Sequence, residues 1–154
     1  MKKIIKILVV LVVAGFLILQ FFRIDKTSQT IVKAETLESA VSVPADVQQI
    51  FGRACNDCHT NLTIYPWYSN VQPFAWMLKN HIDDGRRHLN FSTFNTNTPK
   101  RKAQKLEEIC DEVSSKEMPL PSYLWIHRDA VLSDSDITTL CTWAKGEKDK
   151  IVVE

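Results

Sequence analysis

Two cysteines three residues apart, followed at once by a histidine in Cys55-Asn56-Asp57-Cys58-His59, constrain this 154-residue chain more than any other stretch. Each thiol of such a C-x-x-C-H pentapeptide can add across one haem vinyl group, and the imidazole then lies beneath the iron as proximal ligand. A chain bonded in this way has to build its core around a porphyrin plane. Paired cysteines have two other uses. Structural zinc needs a second Cys/His pair at short spacing, and the remaining Cys110 and Cys141 stand singly and far apart. A thioredoxin-like redox pair belongs in a βαβ frame of hydrophobic strands, which the sequence lacks.

The run from Ile4 to Phe22 is apolar apart from Lys6, Gly15 and Gln20, close to the length that crosses a bilayer. No small-x-small cleavage site follows it and no cysteine ends it. Residues 1–22 are therefore expected to form an uncleaved signal anchor, a single transmembrane helix, with a cleaved signal peptide as the alternative. Lys2 and Lys3 ahead of it predict an N-terminus inside the bacterial cytoplasmic membrane and a haem domain on the periplasmic, extracytoplasmic side. Without Lys2, Lys3 and Lys6 the formal charge falls from +1 to −2, which argues against nucleic acid as a partner. Residues 23–43 are polar and mixed and read as a linker. The c-type haem-binding domain is expected at 44–148, a length that buries a core without difficulty, with a tail at 149–154.

Helical spacing organises that domain. Val47, Ile50, Phe51 and Ala54 form an apolar stripe leading into Cys55. Pro73 and Gly85 bracket a second helix on which Phe74, Met77, Leu78, His81 and Ile82 share a face, so His81 is expected to point inward. Thr98-Pro99 opens a third helix with Ala103, Leu106, Cys110 and Val113 on one side. Its basic residues Lys100, Arg101, Lys102 and Lys105 read as a solvated face. Ser133 and Asp136 have capping-box spacing, Leu132 and Ile137 that of a hydrophobic staple, and Ile137, Leu140, Cys141 and Ala144 line the last helix.

Met118 stands between Glu117 and Pro119 in Lys116-Glu117-Met118-Pro119-Leu120-Pro121. A thioether is a soft ligand for haem iron, and the two prolines stiffen the backbone around it. Met118 is the expected sixth ligand, with His81 as the alternative. Arg86 and Arg87 compensate the helix dipole or pair with the haem propionates, and the rings of Tyr65, Tyr68 and Trp76 are read first as packing, with a hydrogen bond to a propionate as the alternative. In an oxidising compartment Cys110 and Cys141 form an even pair and are expected to be bonded, with buried free thiols as the alternative.

The stripe ending at Phe51, the C-x-x-C-H pentapeptide, Met118-Pro119 and a capped last helix carrying Trp143 resemble a class I c-type cytochrome. Tyr65-Pro66-Trp67-Tyr68, Gly85-Arg86-Arg87-His88-Leu89-Asn90-Phe91-Ser92, Glu108-Ile109-Cys110 and Met118-Pro119-Leu120-Pro121-Ser122-Tyr123 resemble more closely the bacterial haem-binding domain family of membrane-anchored monohaem proteins, over roughly residues 44 to 145. The resemblance implies an all-α, cytochrome c-like domain around one covalent haem c. It implies electron transfer rather than enzymatic turnover, redox protein partners in or near the membrane, and loading by the cytochrome maturation machinery. The competing class is a haem-based peroxidase-like enzyme or a gas or redox sensor, in which His81 or Arg86 would act beside an open iron site. A structural haem module is a third reading.

Overall fold

The computed structural model describes residues 1–152, and among these every regular element is helical. Eight α-helices follow one another: α1 (Lys2–Leu19), α2 (Leu37–Ala40), α3 (Ala45–Ala54), α4 (Asn56–His59), α5 (Phe74–His88), α6 (Pro99–Ser114), α7 (Pro121–Leu124) and α8 (Asp134–Val152). Short 3-10 turns at Trp67–Asn70, Phe91–Thr96 and Arg128–Ala130 join them. The end of α8 takes up part of the expected tail, whose last two residues lie outside the described residues.

The local signals explain the main helices. Thr98 caps α6 by accepting from Arg101 N–H at 3.3 Å, with Pro99 at the first helical position. At the start of α8, Asp136 N–H donates to Ser133 Oγ (3.1 Å) and Ser133 N–H to Asp136 Oδ2 (2.7 Å), the reciprocal capping box. Helices α6 and α8 pack along one another and the Cys110–Cys141 disulfide joins them. Phe51 of α3 lies between Phe91 and Trp143, with ring centroids 4.7 Å and 5.3 Å away, and Leu106, Ile109, Val113 and Leu140 complete the core around it.

Three expectations are corrected. The first concerns the N-terminus: among the described residues no helix is long and apolar enough to cross a membrane. α1 has 18 residues and carries Lys2, Lys3 and Lys6 in its first turns, so its uncharged part, Ile7 to Leu19, measures roughly 20 Å against a hydrocarbon core of about 30 Å. A transmembrane helix ahead of the domain, and the single-pass membrane location built on it, are therefore not supported. The chain instead turns back onto the domain directly after α1. Gln20 Nε2 donates to Gln72 O (3.2 Å), Gln72 N–H returns a bond to Gln20 Oε1 (2.9 Å), and Trp76 Nε1 donates to Phe22 O (3.1 Å).

The second concerns the segment read as a linker. Leu37 is fully buried and Val41 nearly so, both within the main core, and Trp143 Nε1 donates to Ser42 O at 2.7 Å. The packed body thus begins ahead of Pro44. The third concerns α5, which continues past Gly85 to His88. Its buried face is Ala75, Leu78, Ile82 and Gly85, while Phe74 and Met77 face outward.

Candidate functional site

Helix α3 delivers its apolar face to the core and ends at Cys55, where the backbone breaks to φ −127° and starts the single turn α4. Cys58 N–H and His59 N–H both donate to Cys55 O, at 3.1 Å and 2.9 Å. This tight turn holds both thiols and the imidazole in one short stretch of backbone. α5 approaches it closely at Gly85, where an added Cβ would meet Cys58 O at 3.1 Å.

Beside the turn lies a cavity of about 610 Å³, lined by Cys55, Cys58, His59, His81 and Met118 among others, a size typical of cofactor sites. Phe51, Phe91, Leu78, Ile109, Val113 and Leu140 make its walls largely apolar. Burial pushes the Cys55 thiol up to about 12, and burial with the neighbouring Asp57 carboxylate pushes Cys58 up to about 11. Burial also holds the His59 imidazole below its ordinary value, in the neutral form that ligates metals. His59 Nδ1 lies 2.9 Å from Leu89 O. Because a carbonyl only accepts, Nδ1 carries the proton and Nε2 keeps its lone pair, the arrangement of an oriented imidazole ligand.

Met118 reaches the cavity through the end of α6. Lys116 takes a left-handed conformation (φ 62°), its N–H donates to Val113 O (3.3 Å), and Glu117 N–H and Met118 N–H both donate to Glu112 O (3.1 Å each). These bonds form a Schellman-type stop that turns the chain directly at Met118. In α7, Tyr123 OH donates to Asp57 Oδ2 at 3.3 Å, and the Tyr123 ring stacks on His127 at 4.0 Å between centroids. Burial and the Asp57 carboxylate push the Tyr123 phenol up. The Met118 segment and the cysteine turn are thereby tied together. Nothing in the spacing of Asp57 and Tyr123 announces that contact.

The other candidates fall in different places. Arg86 Nε donates to Thr60 O (2.8 Å) and its Nη2 to Thr63 Oγ1 (3.0 Å), clamping the loop after His59. Arg87 is exposed and pairs with Asp84 on its own helix. Tyr65 lies under Lys26 Nζ (5.5 Å), Tyr68 OH meets His127 Nε2 at 2.9 Å, and Trp76 is bonded to Phe22 O; none of these three lines the cavity. Arg101 and Lys105, read as solvated, line it instead.

Two unbonded thiols, a neutral histidine with its free nitrogen available, a thioether and largely apolar walls fit a haem. No curated protein and no solved structure matches the chain. A family model does, over residues 14–146, and its description accords with the site just built. The chain belongs to the haem-binding domain family, with haem as its cofactor.

Proposed function

We propose that the domain carries one haem bonded covalently through Cys55 and Cys58, with His59 and Met118 as axial ligands, and passes single electrons between protein partners. The observation that carries this reading is one cavity lined by all four residues, in a chain whose other two cysteines are paired with each other. When bound, the haem supplies a one-electron iron couple. The chain holds and insulates it. Donation from His59 Nδ1 to Leu89 O fixes the ring, the Schellman stop presents Met118, and Phe51, Phe91 and Leu140 keep water away. Imidazole plus thioether favours a higher potential than two nitrogens. With His59 and Met118 both holding the iron, no position would stay open for a substrate, as a carrier rather than an enzyme or sensor requires. Arg86, committed to the Thr60–Thr63 loop, is also poorly placed for work on a small molecule. Redox proteins are the partners, and the cytochrome maturation machinery performs the attachment.

Protein from a maturation-competent host is expected to keep its colour through acid-acetone extraction and to weigh one haem more than its polypeptide. Loss of colour, or the bare polypeptide mass, overturns the covalent link. His81 lines the same cavity and supports a second reading with two histidine ligands. Met118→Ala is expected to abolish the sulfur-to-iron charge-transfer band and open the iron to carbon monoxide, while His81→Ala leaves both unchanged. The reverse pattern assigns the ligand to His81, and rapid carbon monoxide binding by the unaltered reduced protein favours the enzyme or sensor.

A further inference from the structure

We propose that Lys105, with Arg101 one helical turn before it, is the seat of the haem propionates, an inference that rests on haem occupying the cavity described above. A haem has two unlike edges: vinyl groups on one, two carboxylates on the other. The cysteine turn fixes the first edge, so the carboxylates leave toward the far end of the cavity.

Helix α6 forms a wall along that direction. Val113 and Ile109 line the cavity near the end of the helix, where Glu112 O accepts from Met118 N–H, and Lys105 and Arg101 follow toward its start. From Val113 to Arg101 the helix rises roughly 18 Å, and along it the lining passes from Val113 and Ile109, interspersed with Glu112 and Glu108, to Lys105 and Arg101. Asp57 of the cysteine turn is tied to Tyr123, five residues after Met118, which draws that turn toward the Val113 end, while His59 Nδ1 lies 2.9 Å from the carbonyl of Leu89, where the two spaces meet. At the opposite end a second, polar cleft of about 150 Å³ adjoins, and His88, Leu89, Arg101 and Lys105 line both spaces. An apolar slot opening into a polar mouth across two cations matches the haem's own gradient of character.

Lys105 is the unusual member of this group. It is only 5 % exposed, and its ammonium meets one carboxylate, Glu108 Oε2 at 2.7 Å, on a side chain that is itself 41 % exposed. Buried ammonium groups are retained where anions face them. An ammonium has three donors, so Lys105 can hold Glu108 and still donate to a propionate. Arg101 is exposed and, besides its bond to Gln104 Oε1 (2.8 Å), presents further guanidinium donors for a second carboxylate. Of the candidates named from sequence, Tyr65, Tyr68 and Trp76 have other partners and lie off the cavity, while Arg86 and Arg87 line only the polar cleft, Arg86 bonded to Thr60 O and Thr63 Oγ1 and Arg87 paired with Asp84.

The test uses the full chain, made without haem, and two probes: mesohaem, whose ethyl groups cannot take a thiol, and its dimethyl ester, which has no carboxylates. Soret titration reads both dissociation constants. The unaltered chain is expected to prefer mesohaem over the diester by about tenfold or more, in line with a charge-assisted pair. Lys105→Gln is expected to shrink the preference to under about threefold, Lys105→Arg to retain most of it, and Arg101→Gln to reduce it partly. Exposed Lys100→Gln, on the same helix but lining neither space, is expected to leave it unchanged. Should Lys105→Gln fail to fold by circular dichroism, exposed Arg101→Gln carries the test. An unaltered chain that takes both probes equally well, or a folded Lys105→Gln chain that keeps the full preference, overturns the propionate assignment and leaves the haem site standing. A chain that takes neither probe removes the haem site and this assignment with it.

Discussion

Gly85 is where α5 comes closest to the haem-attachment turn, and the contact is with backbone rather than with a side chain that could swing aside. A methyl group there would sit 3.1 Å from Cys58 O and 3.4 Å from Cys58 Cβ. Gly85→Ala inside a helix ordinarily gains up to about 1 kcal/mol from propensity, but overpacking a well-filled contact costs about 1–3 kcal/mol. The second effect is expected to win here, because the Cys58 carbonyl belongs to a turn held by Cys55 O and by the Arg86 clamp on Thr60. The expected result is a net loss of about 1 kcal/mol in urea unfolding and a lower ratio of haem to polypeptide, since a displaced Cys58 presents its thiol out of line. The position reads ambiguously in sequence: a glycine near a helix end is commonly a left-handed stop, yet no glycine of the chain has positive φ. What selects glycine here is the approach of α4, a tertiary fact invisible in the local pattern.

At the scale of the elements, α6 and α8 were legible because an apolar period and a cap coincide in each, at Thr98 and Ser133, and α3 by its apolar period through Val47, Ile50 and Phe51 alone. The end of α6 was less so, for the stop that places Met118 uses Lys116 where glycine is the usual choice. A left-handed conformation costs an ordinary residue roughly 1–2 kcal/mol, part of which glycine's greater chain entropy offsets. Lys116→Gly is therefore expected to stabilise the protein by about 0.5–1 kcal/mol, raising Tm by about 1–4 °C without altering the Soret spectrum. The start of α8 predicts an acid response. Hydrogen bonds from Ser133, with Arg53 Nη2 at 2.7 Å, hold Asp136 down to about 2 from an ordinary 3.8. A carboxylate depressed in the folded state contributes stability above its unfolded value and loses it as the pH falls between the two. The urea midpoint is thus expected to decline from about pH 4 toward pH 2, and Asp136→Asn to be less stable at pH 6 while flattening that decline. Lys105 shows the limit of such reading: a cluster of four basic residues on a helix looks like a wet face, and only the depth of the groove beside it distinguishes the buried member.

For the molecule as a whole, the apolar N-terminal run that has the look of a membrane span is not where the packed body begins. α1 buries no residue, whereas the polar-looking stretch after it supplies Leu37 and Val41 to the core and Ser42 O to the Trp143 indole. Two apolar residues four apart on a one-turn helix are too short a pattern to register as a period, so the layer they form was not visible in the sequence. Removing residues 1–19 is therefore expected to change the unfolding free energy by no more than about 0.5 kcal/mol, as for surface changes that leave packing intact. Starting the chain at Pro44 deletes both core side chains and strands the indole N–H. Large-to-small changes at one buried aliphatic residue cost about 2–5 kcal/mol, and an unsatisfied buried donor adds about 1–3 kcal/mol. The sum is comparable to the whole stability of a small domain, about 5–15 kcal/mol. The chain from residue 44 is expected to melt far lower than the chain from residue 20, and to expose the Phe51–Trp143 contact that backs the haem cavity. Thermal melts of the two truncations at equal haem loading check this, and equal melting temperatures would show that residues 37–43 are no part of the folded body.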